Sequence, residues 1–437
     1  MTDECRTLYL GDVADIVMGQ SPPGETVSAE PCGLPLLNGP TEFGQHHPSP
    51  VQFTTDVRKR AMRGDILFCV RGSTTGRMNW ADQEYAIGRG LAAIRHKRVP
   101  ELQPFVRAVV EYYLPDLLAQ ATGSTFPNVT VEQLARIPYP RLPEPEQRAI
   151  AHILGTLDDK IESNRRMSET LEAMARAIFK AWFVEFEPVR AKMEGRWHRG
   201  ESLPGLPAHL YDLFPDRLAD SELGEIPEGW EVMSFADTVE VIGGGTPKTS
   251  VPEYWNGDIP WFSVTDAPRD VDVWVVNTEK KITRAGVENS STRILTEGIT
   301  ILSARGTVGR VALVGVPMAM NQSCYGLRGK TDERGFYTYF ATRALVSDLK
   351  QRTHGSVFDT ITRDTLKSVI VLSPPGDLVQ AFERSVTPVL ERIRRNLLAN
   401  RTLAELRDAL LPKVVSSEIR VKDAEWFLRD VEVVHDG

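Results

Sequence analysis

Two short loops of this chain carry the same set of polar side chains. In RGSTTGR (71–77), Arg71 and Arg77 flank the hydroxyls of Ser73, Thr74 and Thr75; in RGTVGR (305–310), Arg305 and Arg310 flank Thr307. An arginine fork can hold guanine bidentately, and hydroxyls can reach a phosphate or a base edge. The plainer reading is a hairpin turn whose glycines serve the backbone only. A second pair of loops is GQSPPG (19–24) and GGGTPKTS (243–250), in which Gln20, Ser21, Lys248 and Thr249 suit the same kind of contact, or form simple surface turns. GGGTPKT is not a nucleotide P-loop, because that motif needs glycine directly before the lysine and Pro247 stands there.

Catalytic groups are harder to find. Glu279-Lys280-Lys281, with Asp266, Asp270 or Asp272 upstream, has the composition of a nuclease metal site, in which two carboxylates and a lysine hold Mg²⁺ and position water. The pattern is short and common by chance. It has no counterpart in the first half, where the nearby charges are Arg58, Lys59 and Arg60. Neither a cofactor glycine loop nor an Asn/Asp-Pro-Pro-Tyr/Phe methyltransferase motif is present. His46 and His47 lie in a polar loop without Cys or carboxylate at ligand spacing and read as solvated. Cys5, Cys32, Cys69 and Cys324 are scattered, with no CxxC pair, so neither a zinc site nor a disulfide framework is expected. No catalytic and no metal-binding residue is therefore assigned.

The elements that position these loops occur twice. IESNRRMSETLEAMARAIF (161–179) and IRRNLLANRTLAELRDALL (393–411) match without a gap: Ile161 meets Ile393, Asn164 meets Asn396, Leu171 meets Leu403. Upstream, DIVMGQSPPG (15–24) matches EVIGGGTPKT (240–249), and RGDILFCVRGSTTGR matches EGITILSARGTVGRV. TGSTFPNVT (122–130) matches HGSVFDTIT (354–362), so Gly123, Ser124 and Phe126 recur as Gly355, Ser356 and Phe358 and suggest a shared role. A repeat this long means a protein built twice. DILFCV and ITILSA are short apolar runs bounded by turn signals, which predicts strands in a mixed α/β fold. YPRLPEPE and LSPPGD are proline-rich stops that precede a helix.

Each copy ends in a heptad seam. The first runs Ile150, Leu154, Leu157, Ile161, Asn164, Ser168, Leu171, Ala175, Ile178, Trp182; the second runs Phe382, Val386, Val389, Ile393, Asn396, Asn400, Leu403, Arg407, Leu410. A helix of ~40 residues is roughly 60 Å long. A surface helix lying on its own domain is the alternative, but a seam asks for a partner and the repeat supplies one. The two helices are expected to pair antiparallel with pseudo-two-fold symmetry. Leu154, Leu157, Ile161, Asn164 and Leu171 would face Val386, Val389, Ile393, Asn396 and Leu403, with the asparagines fixing register. Pro388 should kink or fray the second helix.

The resulting division is 1–143 and 221–374 as globular parts, 144–187 and 375–415 as helices, 188–220 as an irregular linker and 416–437 as a tail. At 437 residues two or more domains are expected. No apolar run suits a membrane span and the N-terminus is not a signal peptide, so a cytoplasmic protein is expected. Net charge is −8. Residues 1–143 carry 14 Lys+Arg against 15 Asp+Glu, and residues 220–374 carry 16 against 20. Neither half is a nonspecific polyanion binder; any DNA reading would rely on base edges, shape, or a partner's phosphate contacts.

The layout resembles the specificity subunit of type I restriction-modification systems. SELGEIPEGWEV (221–232), SARGTVGRV, and MNQSCYGL (320–327) carry the resemblance, together with LPEPEQRAIAHILGTLDDKIESNRR and LLANRTLAELRDALLPKVVSSEI, which are similar to that family's central and distal conserved regions. The first half departs from it: the GEIPEGW phrase is missing, and Gly88-Arg89 stands opposite Asn321-Gln322. The resemblance implies two target-recognition domains in tandem, each reading one part of a bipartite double-stranded DNA sequence. The helices would set the spacing and dock two methyltransferase subunits, which methylate adenine N6 with S-adenosylmethionine. Motor-nuclease subunits using ATP and Mg would add restriction, and this chain would hold no cofactor and no catalytic site. The divergent segments would carry specificity, through Asn38, Thr41 and Gln45 in the first half and Ser263, Thr265, Lys280 and Lys281 in the second, with Asn321 and Gln322 beside them. Trp261 and Phe262 read better as core. The competing readings are a self-contained Mg-dependent endonuclease and a structural adaptor that binds protein but not DNA.

Overall fold

A computed structural model of the chain describes residues 7–44, 46–120, 127–268, 272–352, 360–416 and 418. The fold is mixed α/β, and the chain divides into two compact units: Met1–Glu162 with Arg401–Gly437, and Ser163–Asn400. No helix among the described residues is long and apolar enough to cross a membrane.

The first unit contains strands β1 (Ala14–Met18), β2 (Leu34–Leu37), β3 (Ile66–Cys69), β4 (Met78–Trp80), β5 (Tyr85–Ile87) and β6 (Leu91–His96). Helix α1 (Gln103–Tyr112) follows them, and then the long helix α2 (Glu144–Phe183) begins. β1, β6, β3 and β4 form an antiparallel sheet in that order, while β2 runs parallel to β5 in a second sheet, with Leu36 opposite Ala86. β3 is buried along its whole length, as its unbroken apolar run predicts. Ile66 and Phe68 pack toward Phe105, Val106 and Val109 of α1, and Leu67 and Cys69 pack toward Leu37 and Ile87.

The second unit repeats this plan with β7 (Val239–Gly243), β8 (Trp255–Phe262), β9 (Lys281–Ile282), β10 (Thr300–Ser303), β11 (Val311–Val314), β12 (Ala319–Met320) and β13 (Cys324–Gly329), followed by α3 (Phe336–Arg352) and α4 (Gly376–Val415). β7, β13, β10 and β11 again form an antiparallel sheet, with Trp274–Val275 added beside β11. β8 runs parallel to β12. β10 serves both sides as β3 does: Leu302 faces Leu345 and Leu349 of α3, and Ile301 faces Phe262 and Met320.

Helices α2 and α4 pair antiparallel within each unit. In the first, Ile153, Leu157 and Ile161 pack with Leu403, Leu406 and Leu410, and Ile150 and Leu154 share a core with Val414 and Val415. Arg407, at a seam position, pairs with Asp158 at 2.8 Å. In the second unit the seam turns polar. Asn164 Nδ2 donates to Asn400 Oδ1 at 2.9 Å, and Asn396 Nδ2 lies 3.2 Å from both the Asn164 carbonyl and Ser168 Oγ. Beyond it Val386 and Ile393 are buried, with Leu171 and Val389 packed against the same cluster. The proline at 388 does not fray α4, which runs unbroken through it; Phe382, Val386 and Leu390 pin that turn in the core.

Residues 188–220 differ from the irregular linker expected from their composition. Glu187–Met193 is helical and Leu218–Ser221 is a strand. Val189, Ala191, Trp197, Leu210 and Phe214 are buried in one cluster with Phe179, Trp182, Phe183 and Phe382. The rings of Trp182 and Phe214 meet edge-on, 5.3 Å apart. The segment closes the core around the end of α2, a role its aperiodic aromatics do not advertise.

Candidate nucleic-acid interface

In the first unit four loops meet at one rim, held by backbone hydrogen bonds. The turn after β1 docks on the end of β5, with Gln20 N donating to the Ile87 carbonyl at 2.9 Å. Gly88 N donates to the Leu37 carbonyl at 2.8 Å, which brings the residue after β5 against the residue after β2. Val70 N donates to the Gly90 carbonyl at 2.9 Å, so the Arg71 turn leaves β3 beside the same point. Arg77 Nη1 reaches back to the Pro40 carbonyl at 3.4 Å. Asn38 Nδ2 bonds Gln52 Oε1 at 3.0 Å, and Arg89 N donates to Ser21 Oγ at 3.3 Å.

The second unit builds the same cradle from different residues. Gly245 N donates to the Met320 carbonyl (3.0 Å), Asn321 N to the Phe262 carbonyl (2.9 Å) and Ala304 N to the Ser323 carbonyl (2.8 Å). Ser21 therefore corresponds to Thr246, Asn38 to Ser263, Arg71 to Arg305, and Gly88-Arg89 to Asn321-Gln322. Thr246 Oγ1 donates to Gln322 Oε1 across the loops. The fit is too close for a side chain at its centre: a Cβ on Gly19 would sit 2.2 Å from the Gly88 carbonyl oxygen, and one on Gly244 would sit 1.9 Å from that of Asn321.

The expected contact residues divide by what they already hold. Gln20, Ser21, Asn38, Arg71, Ser73 and Arg77 are exposed on the first rim; Lys248, Thr249, Thr265, Lys280, Arg305, Thr307, Arg310 and Gln322 are exposed in the second unit. Thr74 and Thr75 are half-buried. The Thr75 hydroxyl lies 2.8 Å from the Gly72 carbonyl and 2.9 Å from that of Pro127, so it braces the turn. Asn321 Oδ1 accepts from Ser323 N at 3.0 Å, and Ser263 Oγ lies 2.8 Å from Asp266 Oδ2 and 2.7 Å from Thr265 Oγ1. Lys281 is half-buried, opposite Pro260 in the β8–β9 pairing, while the Lys280 carbonyl accepts from Trp261 N at 3.0 Å. Trp261 and Phe262 are buried, and Trp261 Nε1 fastens the Gly245 carbonyl at 3.0 Å. Gly72, Gly76, Gly306 and Gly309 all have positive φ, so the turn glycines serve the backbone while the arginines beside them stay exposed. Composition did not single out Arg89, Gln52 or Thr246; the one available signal was that Arg89 falls opposite Gln322 in the repeat.

The rim loops are basic on an acidic chain. Residues 19–21, 38–41, 71–77 and 88–90 include Arg71, Arg77 and Arg89 and no carboxylate. Their counterparts 244–250, 263–266, 305–310 and 321–323 include Lys248, Arg305, Arg310 and a single acid, Asp266. That acid is committed to its own loop: Oδ2 accepts from Ser263 N and Oγ, and Oδ1 accepts from Glu279 N at 2.7 Å. Glu279 itself is exposed. Among the described residues no cluster of His, Cys, Asp and Glu is arranged to hold a metal ion. Burial pushes the Cys324 thiol beneath the second rim up to about 12, with the Asp266 charge adding to the shift, which keeps it protonated and unreactive. His46 and His47 are half-buried rather than solvated: His47 Nδ1 lies 3.0 Å from the Trp80 carbonyl, and burial, with His47 next, lowers the pKa of His46. Gln45, Asp270, Gly123, Ser124, Phe126, Gly355, Ser356 and Phe358 lie outside the described residues.

A family profile described as "Type I restriction modification DNA specificity domain" matches residues 3–173 and again residues 227–378. The HindI type I restriction enzyme specificity subunit of Haemophilus influenzae is 25% identical over 409 residues, spanning 83% of this chain and 88% of its own. The MjaIX specificity subunit of Methanocaldococcus jannaschii is 27% identical over 325 residues, spanning 73% and 68%. A crystal structure of a type I restriction-modification system S subunit from M. genitalium shares the fold, with a TM-score of 0.57 at 15% identity over 95% of this chain and 98% of that one. With the domain matched twice over most of its length, and the two matches built on one backbone cradle, the chain belongs to the type I restriction-modification DNA specificity family.

Proposed function

We propose that this chain is the DNA-reading subunit of a type I restriction-modification complex. Residues 1–143 and 221–374 act as two target-recognition domains, each reading one part of a split double-stranded sequence. Helices α2 and α4 set the distance between the parts and dock two methyltransferase subunits. Those partners place the methyl group on adenine N6 from S-adenosylmethionine, and a motor-nuclease partner using ATP and Mg adds restriction. The chain itself contributes recognition rather than catalysis, and it works in the cytoplasm, where the DNA is. The observation that carries this reading is the pair of exposed, carboxylate-poor rims raised on equivalent cradles, each with different side chains. Equivalent scaffolds with different contact groups suit a target whose halves differ in sequence. Outside the rim loops each half is acidic, which fits a reader whose phosphate attraction is supplemented by partners.

The reading is tested by selecting duplexes from a randomised pool with the full chain plus its methyltransferase partner. The expected product is two short conserved blocks separated by a gap of fixed length. Binding without any consensus would favour an adaptor. Cleavage of the duplex by the chain alone in Mg²⁺, lost in Glu279→Ala with binding intact, would favour the endonuclease.

A further inference from the structure

We propose that Arg89 and Gln322, which stand at the same place in the two rims, each select one base of the target: Arg89 a guanine and Gln322 an adenine. The assignment rests on the DNA-reading function above and names the residues that make its two halves differ.

The backbone beneath the two side chains is held in the same way. Gly88 N donates to the Leu37 carbonyl and Leu91 N to the Gly88 carbonyl; Asn321 N donates to the Phe262 carbonyl and Cys324 N to the Asn321 carbonyl. The hydroxyl in the turn after the first strand meets the two residues differently: Ser21 Oγ accepts from the Arg89 backbone N, whereas Thr246 Oγ1 donates to the Gln322 side-chain oxygen. The backbone at this point follows the same hydrogen-bond pattern in both cradles, so the difference in preference is assigned to the side chain that it carries.

The chemistry of the two side chains is complementary to different purines. Arg89 is exposed, and its guanidinium has no hydrogen-bond or ion-pair partner among the described residues, so its fork of donors is free. Guanine offers two major-groove acceptors, O6 and N7, to such a fork, whereas adenine sets an amino donor against it. Gln322 is exposed, and its Oε1 accepts from Thr246. That bond orients the amide and leaves one oxygen lone pair and both Nε2 hydrogens, the set that meets adenine N6 and N7. A phosphate contact would call for a cation in both halves. That pattern belongs instead to Arg71 and Arg305, which sit at equivalent positions as the same residue type.

The test uses complexes of the full chain with its methyltransferase partner, carrying Arg89→Gln or Gln322→Arg, with N6-methyladenine mapped by sequencing on a shared DNA substrate. For Arg89→Gln, preference at one base pair of one half-target should move from guanine to adenine by roughly ten- to a hundredfold, with every other position unchanged. Gln322→Arg should produce the reverse change at one base pair of the other half. Arg89→Ala should relax the first position without creating a new preference. Uniform loss of methylation with no change of base preference overturns the assignment, because it marks a phosphate or structural role. An unchanged motif overturns it as well. A wild-type complex that methylates no split motif overturns the DNA-reading function itself, and is told apart from failure of the base assignment because it precedes any substitution.

Discussion

At Gly244 one added methyl group would sit 1.9 Å from a carbonyl oxygen that closes the second rim. Gly244→Ala must push the turn after β7 away from Asn321, displacing Thr246 and with it Gln322. Overpacking of this kind costs on the order of 1–3 kcal/mol, measurable as a lowered denaturation midpoint. The same variant should lose preference at the second half-target while keeping the first, as read from the methylated motif. At this scale, residue type and spacing located the Arg-Gly turns but could not sort free groups from engaged ones. Thr75, Asn321 and Ser263 have the same chemistry as their exposed neighbours, yet their polar atoms are taken up by the backbone or by loop side chains nearby. Hydroxyls, amides and carboxylates in turns commonly do this, and only the folded loop decides which.

Among the elements, α4 is fastened to α3 by a buried acid. Glu383 accepts hydrogen bonds from Arg334 N and Tyr337 N, both at 2.8 Å, and so caps the start of α3. Burial, and then the neighbouring Asp332 charge, raise its pKa from the ordinary carboxyl value to about 7. A carboxyl whose folded pKa is raised gives its stabilisation fully below the unfolded value and loses it as pH climbs through the folded one. Stability of the second unit should therefore fall between about pH 4.5 and pH 7 through this group. Glu383→Gln should flatten that part of the profile in denaturant melts run across the range. An unchanged slope would mean that Glu383 does not titrate there. The long helices were legible from their heptads because a seam is a periodic signal. The segment 188–220 was not, since its aromatics follow no period and its Pro and Gly residues look like those of a loop. The helices also carry the spacing claim. Seven residues added to each, between Glu162 and Ser163 and between Asn400 and Arg401, lengthen a helix by about 10.5 Å. At ~3.4 Å per base pair the gap in the recognised sequence should grow by about three pairs, with both half-targets unchanged. Altered half-targets in the selected duplexes would sink the spacing role.

For the molecule as a whole, the internal repeat was the strongest signal in the sequence, and the structure gives it a physical form. The same strand order, the same parallel pairing of β2 with β5 and of β8 with β12, and the same dipping of β3 and β10 into two cores appear twice. At the rims the two halves keep the backbone cradle and change the side chains on it, with Asn38 standing where the other half has Ser263 and Arg89 where it has Gln322. On the proposed function, one chain built twice in this way reads two different short sequences, and the exposed arginines of the rims are the groups proposed to supply local attraction on a chain of net charge −8. The most direct test of that account is a map of N6-methyladenine across the host genome with and without this gene. The account predicts that deletion erases methylation at one split motif made of two short, unlike blocks. Methylation that stays the same at every motif, in a host where the methyltransferase partner is expressed, would contradict it.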